Sequence, residues 1–254
     1  AHSYVLASGR VLELIAAPRL EATAPAAWTD AIVLGADGPT PILKALSAAE
    51  FEALAGPPRF AVIACGSNAA PSRLRRKFAH DPATVVPTLR VNLSDYCVVY
   101  SAKICSYGSA PATLMQTSGA TVQTFVNLLT EDQLRAMDQS ELLGFEYDRP
   151  QLEISEGLAP PGRDGLDLSR WGGPVSAYVS RFGALARDGE ALELSAGGAS
   201  LIKQSDALAY IQALLDVGGH LDDFIHENVV DAQIRLRRNE RLRREASLPW
   251  ADRP

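Results

Sequence analysis

Leu134, Met137, Asp138 and Glu141 stand at i, i+3, i+4 and i+7 of a helical pattern, so two carboxylates share the face that Leu134 and Met137 turn toward a core. Loss of water disfavours the charged form of a carboxyl, and a second carboxyl one turn away does the same. Both effects move such a group toward proton transfer near neutral pH. The spacing also fits a helix end at the surface, with Glu141 solvated or paired to Arg149. A second stretch, Phe60 to Asn68, reads Phe-Ala-Val-Ile-Ala-Cys-Gly-Ser-Asn. Its opening residues have strand propensity and run into Gly66, which accepts backbone angles and close approaches that a side chain forbids. Pro71 suits a first helical turn, and Leu74 with Phe78 has the spacing of a buried helical face. Backbone N–H groups converging at such a turn can hold a carboxylate, a phosphate or a developing oxyanion. The pattern equally describes an ordinary strand-to-helix connection.

Other chemistry finds less support. The chain has no Gly-x-x-x-x-Gly-Lys-[Ser/Thr], no Gly-x-Gly-x-x-Gly and no Gly-x-Ser-x-Gly, which argues against nucleotide binding and the usual serine hydrolase. His220, Asp222, Asp223 and His226 offer nitrogen and oxygen ligands. Only Asp222 and His226 share a helical face, however, and plain capping at a helix start is the simpler reading. Cys65 as a nucleophile needs a histidine brought beside it by the fold; otherwise it is a small buried thiol at a strand end. The 3 cysteines show no Cys-x-x-Cys spacing, so neither a disulfide framework nor a thiolate metal site is expected. A reducing compartment, and hence a cytoplasmic location, is the expectation. No stretch approaches the roughly 18 apolar residues of a membrane span, and a net charge of −6 argues against nucleic acid as the main partner.

The elements that must position these residues follow from local pattern. Tyr4–Ala7 and Val11–Ile15, separated by Ser8-Gly9-Arg10, predict a hairpin. Ser47-Ala48-Ala49-Glu50 and Thr130-Glu131-Asp132-Gln133 are capping boxes that open helices to about Leu54 and Leu142. Gly56-Pro57-Pro58 marks a junction between an N-terminal extension and the main body. Strands are expected at Tyr96–Lys103, Ala112–Gln116, Thr121–Leu128 and Pro174–Phe182, and an edge strand interrupted by Pro150 at Phe145–Ile154. The Gly-, Pro- and Asp-rich run Glu156–Trp171 reads as a long rim loop or lid. Ser205–Val217 predicts a helix, and Asp222 to about Ala246 a final long one with a basic second half. Those arginines suit the negative end of a helix dipole, with a partner or phosphate surface as the other reading.

In this order the features resemble the gamma-glutamylcyclotransferase-like family. That family has a strand ending in Tyr-Gly-Ser-Asn, a later Ala-Thr, a glycine-containing strand, a helix with Leu-Asp-x-x-Glu and a strand marked Tyr-x-Arg. Here Cys65-Gly66-Ser67-Asn68, Ala112-Thr113-Leu114, Gly119–Leu128, Met137-Asp138-Gln139-Ser140-Glu141 and Tyr147-Asp148-Arg149 stand in that sequence. The similarity covers Phe60 to Phe182 and extends toward the C-terminal helices. It implies an α+β fold, a mixed β-barrel with flanking helices, spanning residues 57–254, with residues 1–56 as an extension packed on it. It also implies a catalytic Glu141, a substrate-binding set of Cys65, Gly66, Ser67, Asn68 and Tyr147, and no metal or cofactor. The implied partner is a small molecule carrying a gamma-glutamyl group, with neither nucleic acid nor membrane. In the family the glutamate takes a proton from the free α-amine, the amine attacks the gamma-carbonyl, 5-oxoproline closes, and the carboxyl returns a proton to the leaving amine. Two positions depart from the pattern. Cys65 replaces the tyrosine, and Leu142 replaces the glycine that follows the glutamate, which is expected to narrow access.

Two classes of function remain. One is a cofactor-independent cyclotransferase; the other is a non-catalytic small-molecule or protein-binding module on the same fold. The first requires the Glu141 carboxyl inside a cavity within reach of the Gly66–Asn68 loop; the second permits a filled pocket or a glutamate turned to solvent. A hydrolase or transferase working through Cys65 is a third possibility that requires an adjacent histidine.

Overall fold

The computed structural model describes residues 2–17, 25–155, 160–195 and 202–250. In chain order it contains β1 (Tyr4–Ala7), β2 (Arg10–Ala16), β3 (Ile32–Gly35), β4 (Gly38–Pro41), α1 (Ile42–Ala45), α2 (Ala48–Ala55), β5 (Phe60–Ala64), α3 (Pro71–Lys77), β6 (Val85–Tyr100), β7 (Ala112–Leu129) and α4 (Glu131–Ser140). There follow β8 (Tyr147–Asp148), β9 (Val175–Ala177), β10 (Val179–Ser180), β11 (Ala184–Arg187), β12 (Glu190–Ala191), β13 (Glu193–Ser195), α5 (Gln204–Leu214), α6 (Leu221–Val230), α7 (Ala232–Glu245) and β14 (Ser247–Leu248). Two compact units result. The first is made of Ala1–Ser94, Gln123–Gly144 and Arg149–Tyr178, the second of Asp95–Val122, Phe145–Asp148 and Val179–Pro254.

The first unit is built on a sheet in the order β4-β3-β2-β1-β6-β7-β5-β9. The expected hairpin forms, with Tyr4 opposite Glu13 and Ala7 opposite Arg10. Positive φ at Ser8 (48°) and Gly9 (76°) gives the tight two-residue turn that matches strand twist. β1 then pairs with β6, so the first strands of the chain extend the sheet. β5 pairs antiparallel with β7 and parallel with β9. The sheet is open, which corrects the expectation of a barrel: among the described residues no strand joins β4 to β9. Both ends are poor in pairing capacity. β4 reads Gly-Pro-Thr-Pro, and its prolines offer no N–H; β9 has 3 residues, after which the chain turns off to pair β10 with β8. Both capping boxes are present, at Ser47/Glu50 and Thr130/Gln133.

In the second unit Tyr100, Ile104, Leu185, Ile211, Phe224 and Leu242 are core residues, and buried Asn239 bridges the N–H and C=O of Ile104 at 2.8 and 3.0 Å. Three further expectations are corrected. The two segments Ala112–Gln116 and Thr121–Leu128 are one strand, β7, which continues through Gly119 because its φ of +75° and its N–H bond to Asp95 Oδ1 (2.8 Å) absorb the irregularity locally. The edge strand at Phe145–Ile154 shrinks to β8 and an isolated bridge at Gln151. The last long helix is two, α6 and α7, because Asp231 leaves helical geometry and accepts from the N–H groups of Gln233 and Ile234 as an N-cap. Of the predicted rim loop, 156–159 lie outside the described residues; the remainder is irregular apart from an isolated parallel bridge of Gly165 to Arg90 and a short helical turn at Leu168–Arg170.

Candidate functional site

The strand-turn-helix around Gly66 forms as its sequence requires. β5 buries Ala61–Ala64, a short helical turn covers Ser67–Ala69, and Pro71 opens α3, whose Leu74 points into the core together with Phe78. The N–H groups of Ala69 and Ala70 close this turn on the Gly66 and Ser67 carbonyls, both at 3.0 Å. Among the described residues the N–H groups of Ser67 and Asn68 have no such partner. Two side chains hold the turn from the sheet. Tyr4 Oη donates to the Ala69 carbonyl at 2.9 Å, and Asn127 Nδ2 donates to the Asn68 carbonyl at 3.1 Å while its Oδ1 accepts from Thr88 Oγ1 at 2.9 Å.

Glu141 closes α4 as its C-terminal cap residue, one position earlier than the expected helix end near Leu142. Its side chain is 13% exposed. Asn68 Nδ2 donates to Glu141 Oε1 at 3.3 Å, so the loop and the glutamate, 73 residues apart in the chain, meet. The same Oε1 receives the ammonium of Lys77 on α3. That ammonium also reaches Ser140 Oγ (2.8 Å) and Met137 Sδ (3.2 Å), and burial lowers the Lys77 pKa while the charge of Glu141 opposes the shift. Asn68 Oδ1 is buried and, among the described residues, has no hydrogen-bond partner.

The second carboxylate of the helix face has a different fate. Asp138 takes Arg149 Nε at 3.0 Å and Nη2 at 3.3 Å, and Tyr178 Oη donates to it at 2.6 Å. The arginine expected as an alternative partner of Glu141 therefore belongs to Asp138. Burial, then the bond to Asp138, push the Tyr178 hydroxyl well above its ordinary range. This fork is closed, with its oxygens spent on a cation and a phenol.

Cys65 ends the loop's strand with its thiol pushed up to about 12, chiefly by desolvation, with the charge of Glu141 adding to it. A thiol held protonated in this way is a poor nucleophile at neutral pH, and the route through Cys65 loses support. Tyr147 lies in the second unit. There it pairs with Ser180 across β8 and β10, and Lys103 Nζ stands 5.4 Å above its ring. Among the described residues no group of three or more His, Cys, Asp and Glu side chains is placed to hold a metal, and no helix is long and apolar enough to cross a membrane. The basic half of α7 is largely engaged: Arg241 donates to the Leu214 and Leu215 carbonyls at the end of α5, and Arg238 pairs with Glu227.

The first unit also holds an open cleft of about 450 Å³. One wall is the hairpin, through Tyr4, Val11 and Glu13. The other is the loop itself, through Gly66, Ala69, Ala70 and Pro71, with Phe125 of β7 between them.

Sequence reasoning missed Lys77, Asn127 and Tyr4. Lys77 follows Arg75 and Arg76 and reads as part of a basic helix end. Its position three residues after Leu74 was the signal that it flanks the buried stripe.

No protein-family model matches the chain, and no curated protein matches it in sequence. Among solved structures it is similar to a gamma-glutamyl cyclotransferase, at 14% identity over 75% of this chain and 89% of that one, with a TM-score of 0.37. It is also similar to an uncharacterised protein from Homo sapiens, at 14% identity over 66% and 98% of the two chains with a TM-score of 0.37. A protein from Arabidopsis thaliana aligns at 19% identity over 49% and 63%, with a TM-score of 0.34.

Proposed function

We propose that the chain is a cytoplasmic, cofactor-independent cyclotransferase that releases 5-oxoproline from a gamma-glutamyl amine or peptide. The observation that carries this reading is the meeting of Asn68 Nδ2 with the largely buried Glu141 Oε1 at 3.3 Å. The turn whose Ser67 and Asn68 N–H groups have no backbone carbonyl partner among the described residues thus meets a largely buried carboxylate, which supports the motif resemblance. Glu141 takes a proton from the substrate's α-ammonium, and the freed amine attacks the gamma-carbonyl carbon. A C–N bond closes the five-membered ring, the ring nitrogen gives up its remaining extra proton to solvent, the bond to the leaving nitrogen breaks, and the proton held by Glu141 passes to that nitrogen. The N–H groups of Ser67 and Asn68 serve the oxyanion or the substrate carboxylate. Attack within one molecule supplies much of the orientation, so the protein has chiefly to hold the glutamyl group folded back. Residues 57–254 form the catalytic domain in this proposal, and 1–56 the extension.

A second reading, a non-catalytic binding module, is favoured by one observation: the Lys77 ammonium occupies the oxygen that must take the proton. Incubating the protein and Glu141→Gln with gamma-glutamyl amino acids, peptides and amines, and following 5-oxoproline by mass spectrometry, separates the two. Product from the native protein alone supports the cyclotransferase. Equal product from both removes Glu141 as the catalyst, and none from either folded protein favours the module.

A further inference from the structure

The cleft beside the loop does not include Glu141 among its lining residues, and the hairpin that forms its far wall lies outside the stretch that resembles the cyclotransferases. Its volume of about 450 Å³ is that of a small-molecule site. Its chemistry is mostly apolar. Val11, which is 39% exposed, faces it, and Phe125 and Pro71 add ring and aliphatic area. Tyr4 offers only its ring, because its hydroxyl is already committed to the Ala69 carbonyl. The titratable side chains of the lining, His2 and Glu13, lie 3.7 Å apart and face each other.

We propose that this cleft binds the amine portion of the substrate, as a hydrocarbon or aryl body, and that the N-terminal hairpin thereby sets specificity for gamma-glutamyl derivatives of apolar amines. The identity of the other half of the substrate rests on the cyclotransferase reading. The structural link is the loop: Gly66, Ala69 and Ala70 line the cleft, while Asn68 of the same turn contacts Glu141. A substrate following the loop places its glutamyl group at the carboxylate and its amine side against Val11 and Phe125. Removing an apolar body of this size from water supplies the binding free energy without any further hydrogen bond.

The test uses the whole chain, its Val11→Asp and Val11→Trp variants, free phenethylamine as the binding probe, and gamma-glutamyl-phenethylamide and gamma-glutamyl-glycine as substrates. Val11→Asp puts a charge into the cleft and Val11→Trp fills it; both act at an exposed strand position, and urea midpoints report whether the fold persists. The proposal expects phenethylamine to bind the native chain and each folded variant to weaken it by about tenfold or more. It expects kcat/KM to favour the phenethylamide over the glycine derivative, with the preference collapsing through KM in the variants. Absence of phenethylamine binding to the native chain, or binding unchanged in both variants, overturns the cleft assignment even if 5-oxoproline is released. Binding that depends on Val11, with no 5-oxoproline from either conjugate, leaves the cleft assignment standing and overturns the cyclotransferase reading.

Discussion

Two lysines, one in each unit, bury their ammonium groups against a glutamate, and they do so in different ways. Lys77 and Lys103 have equally hidden side chains, each 5% exposed. Lys103 meets Glu146, whose own side chain is 38% exposed, and its Nζ lies 5.4 and 5.1 Å from the ring centres of Tyr147 and Phe182. Aromatic faces compensate the lost water there, and the carboxylate keeps part of its own. Lys77 has a hydroxyl and a thioether in place of the rings, and its glutamate is nearly as hidden as itself. Burial lowers its pKa, and beside the pair sits the unpartnered Asn68 Oδ1. A buried pair costs more in desolvation than it returns unless every remaining donor and acceptor is matched. Lys103–Glu146 keeps part of its hydration and is flanked by rings, whereas Lys77–Glu141 is buried on both sides beside an unmatched acceptor.

The largest difference between the pairs is expected in activity. On the cyclotransferase proposal Glu141→Gln removes the proposed proton carrier and should lower 5-oxoproline release on the order of 10²–10⁴-fold. Glu146→Gln, in the other pair, should stay within about threefold of the native chain, because it only weakens a half-exposed ion pair. Equal losses in the two variants would show that the pairs do not differ in function.

Stability should separate them next. Lys77→Met leaves Glu141 charged, buried and unpaired, at a cost of about 3 kcal/mol in urea denaturation. Lys103→Met leaves a carboxylate that can rehydrate and should cost about 1 kcal/mol. Adding Glu141→Gln to Lys77→Met should recover most of the first loss, a coupling that a double-mutant cycle reads directly. The lowered Lys77 pKa also has a sign. Between its folded value and the ordinary lysine value the unfolded chain holds the extra proton, so this group's contribution to stability rises with pH; below both values its full penalty is present. Tyr4 and Cys65, each pushed up to about 12, act in the opposite direction at alkaline pH. The quantity to follow is therefore the difference between the native chain and Lys77→Met from pH 7 upward. It should grow in favour of the native chain, and a flat difference would show that Lys77 is not perturbed.

What could be read from the sequence was local. The hairpin is written in Ser8-Gly9, the helix starts in Ser47/Glu50 and Thr130/Gln133, and the turn in Gly66 followed by Pro71. The meeting of Asn68 with Glu141 followed from a resemblance of ordered motifs, since no spacing rule links residues 73 positions apart. Lys77 was hidden among basic neighbours, where only its phase against Leu74 distinguishes it. Sheet closure could not be read at all, because it depends on whether β4 and β9 can pair, and no local pattern encodes that. The full length of β6 was obscured by Pro87, which argues against a strand yet pairs opposite Val5.

The smallest expected effect concerns the helix end that presents Glu141. Leu142 has φ of +52°, a left-handed conformation in which a β-carbon costs roughly 1 kcal/mol and glycine costs little. The motif pattern that the sequence resembles has glycine there. Its side chain is half exposed, so little packing compensates. Leu142→Gly relieves the strain but enlarges the entropy of the unfolded chain, and the net gain should be about 0.5 kcal/mol in a denaturation midpoint. The comparison within the chain is Asp188, also left-handed, at φ of 54° in the turn before β12, where the aspartate side chain tolerates the geometry and Asp188→Gly should change stability less. A loss of stability in Leu142→Gly would mean that the leucine packs over the Lys77–Glu141 pair and keeps water from it, making the strained residue a cover for the buried ion pair.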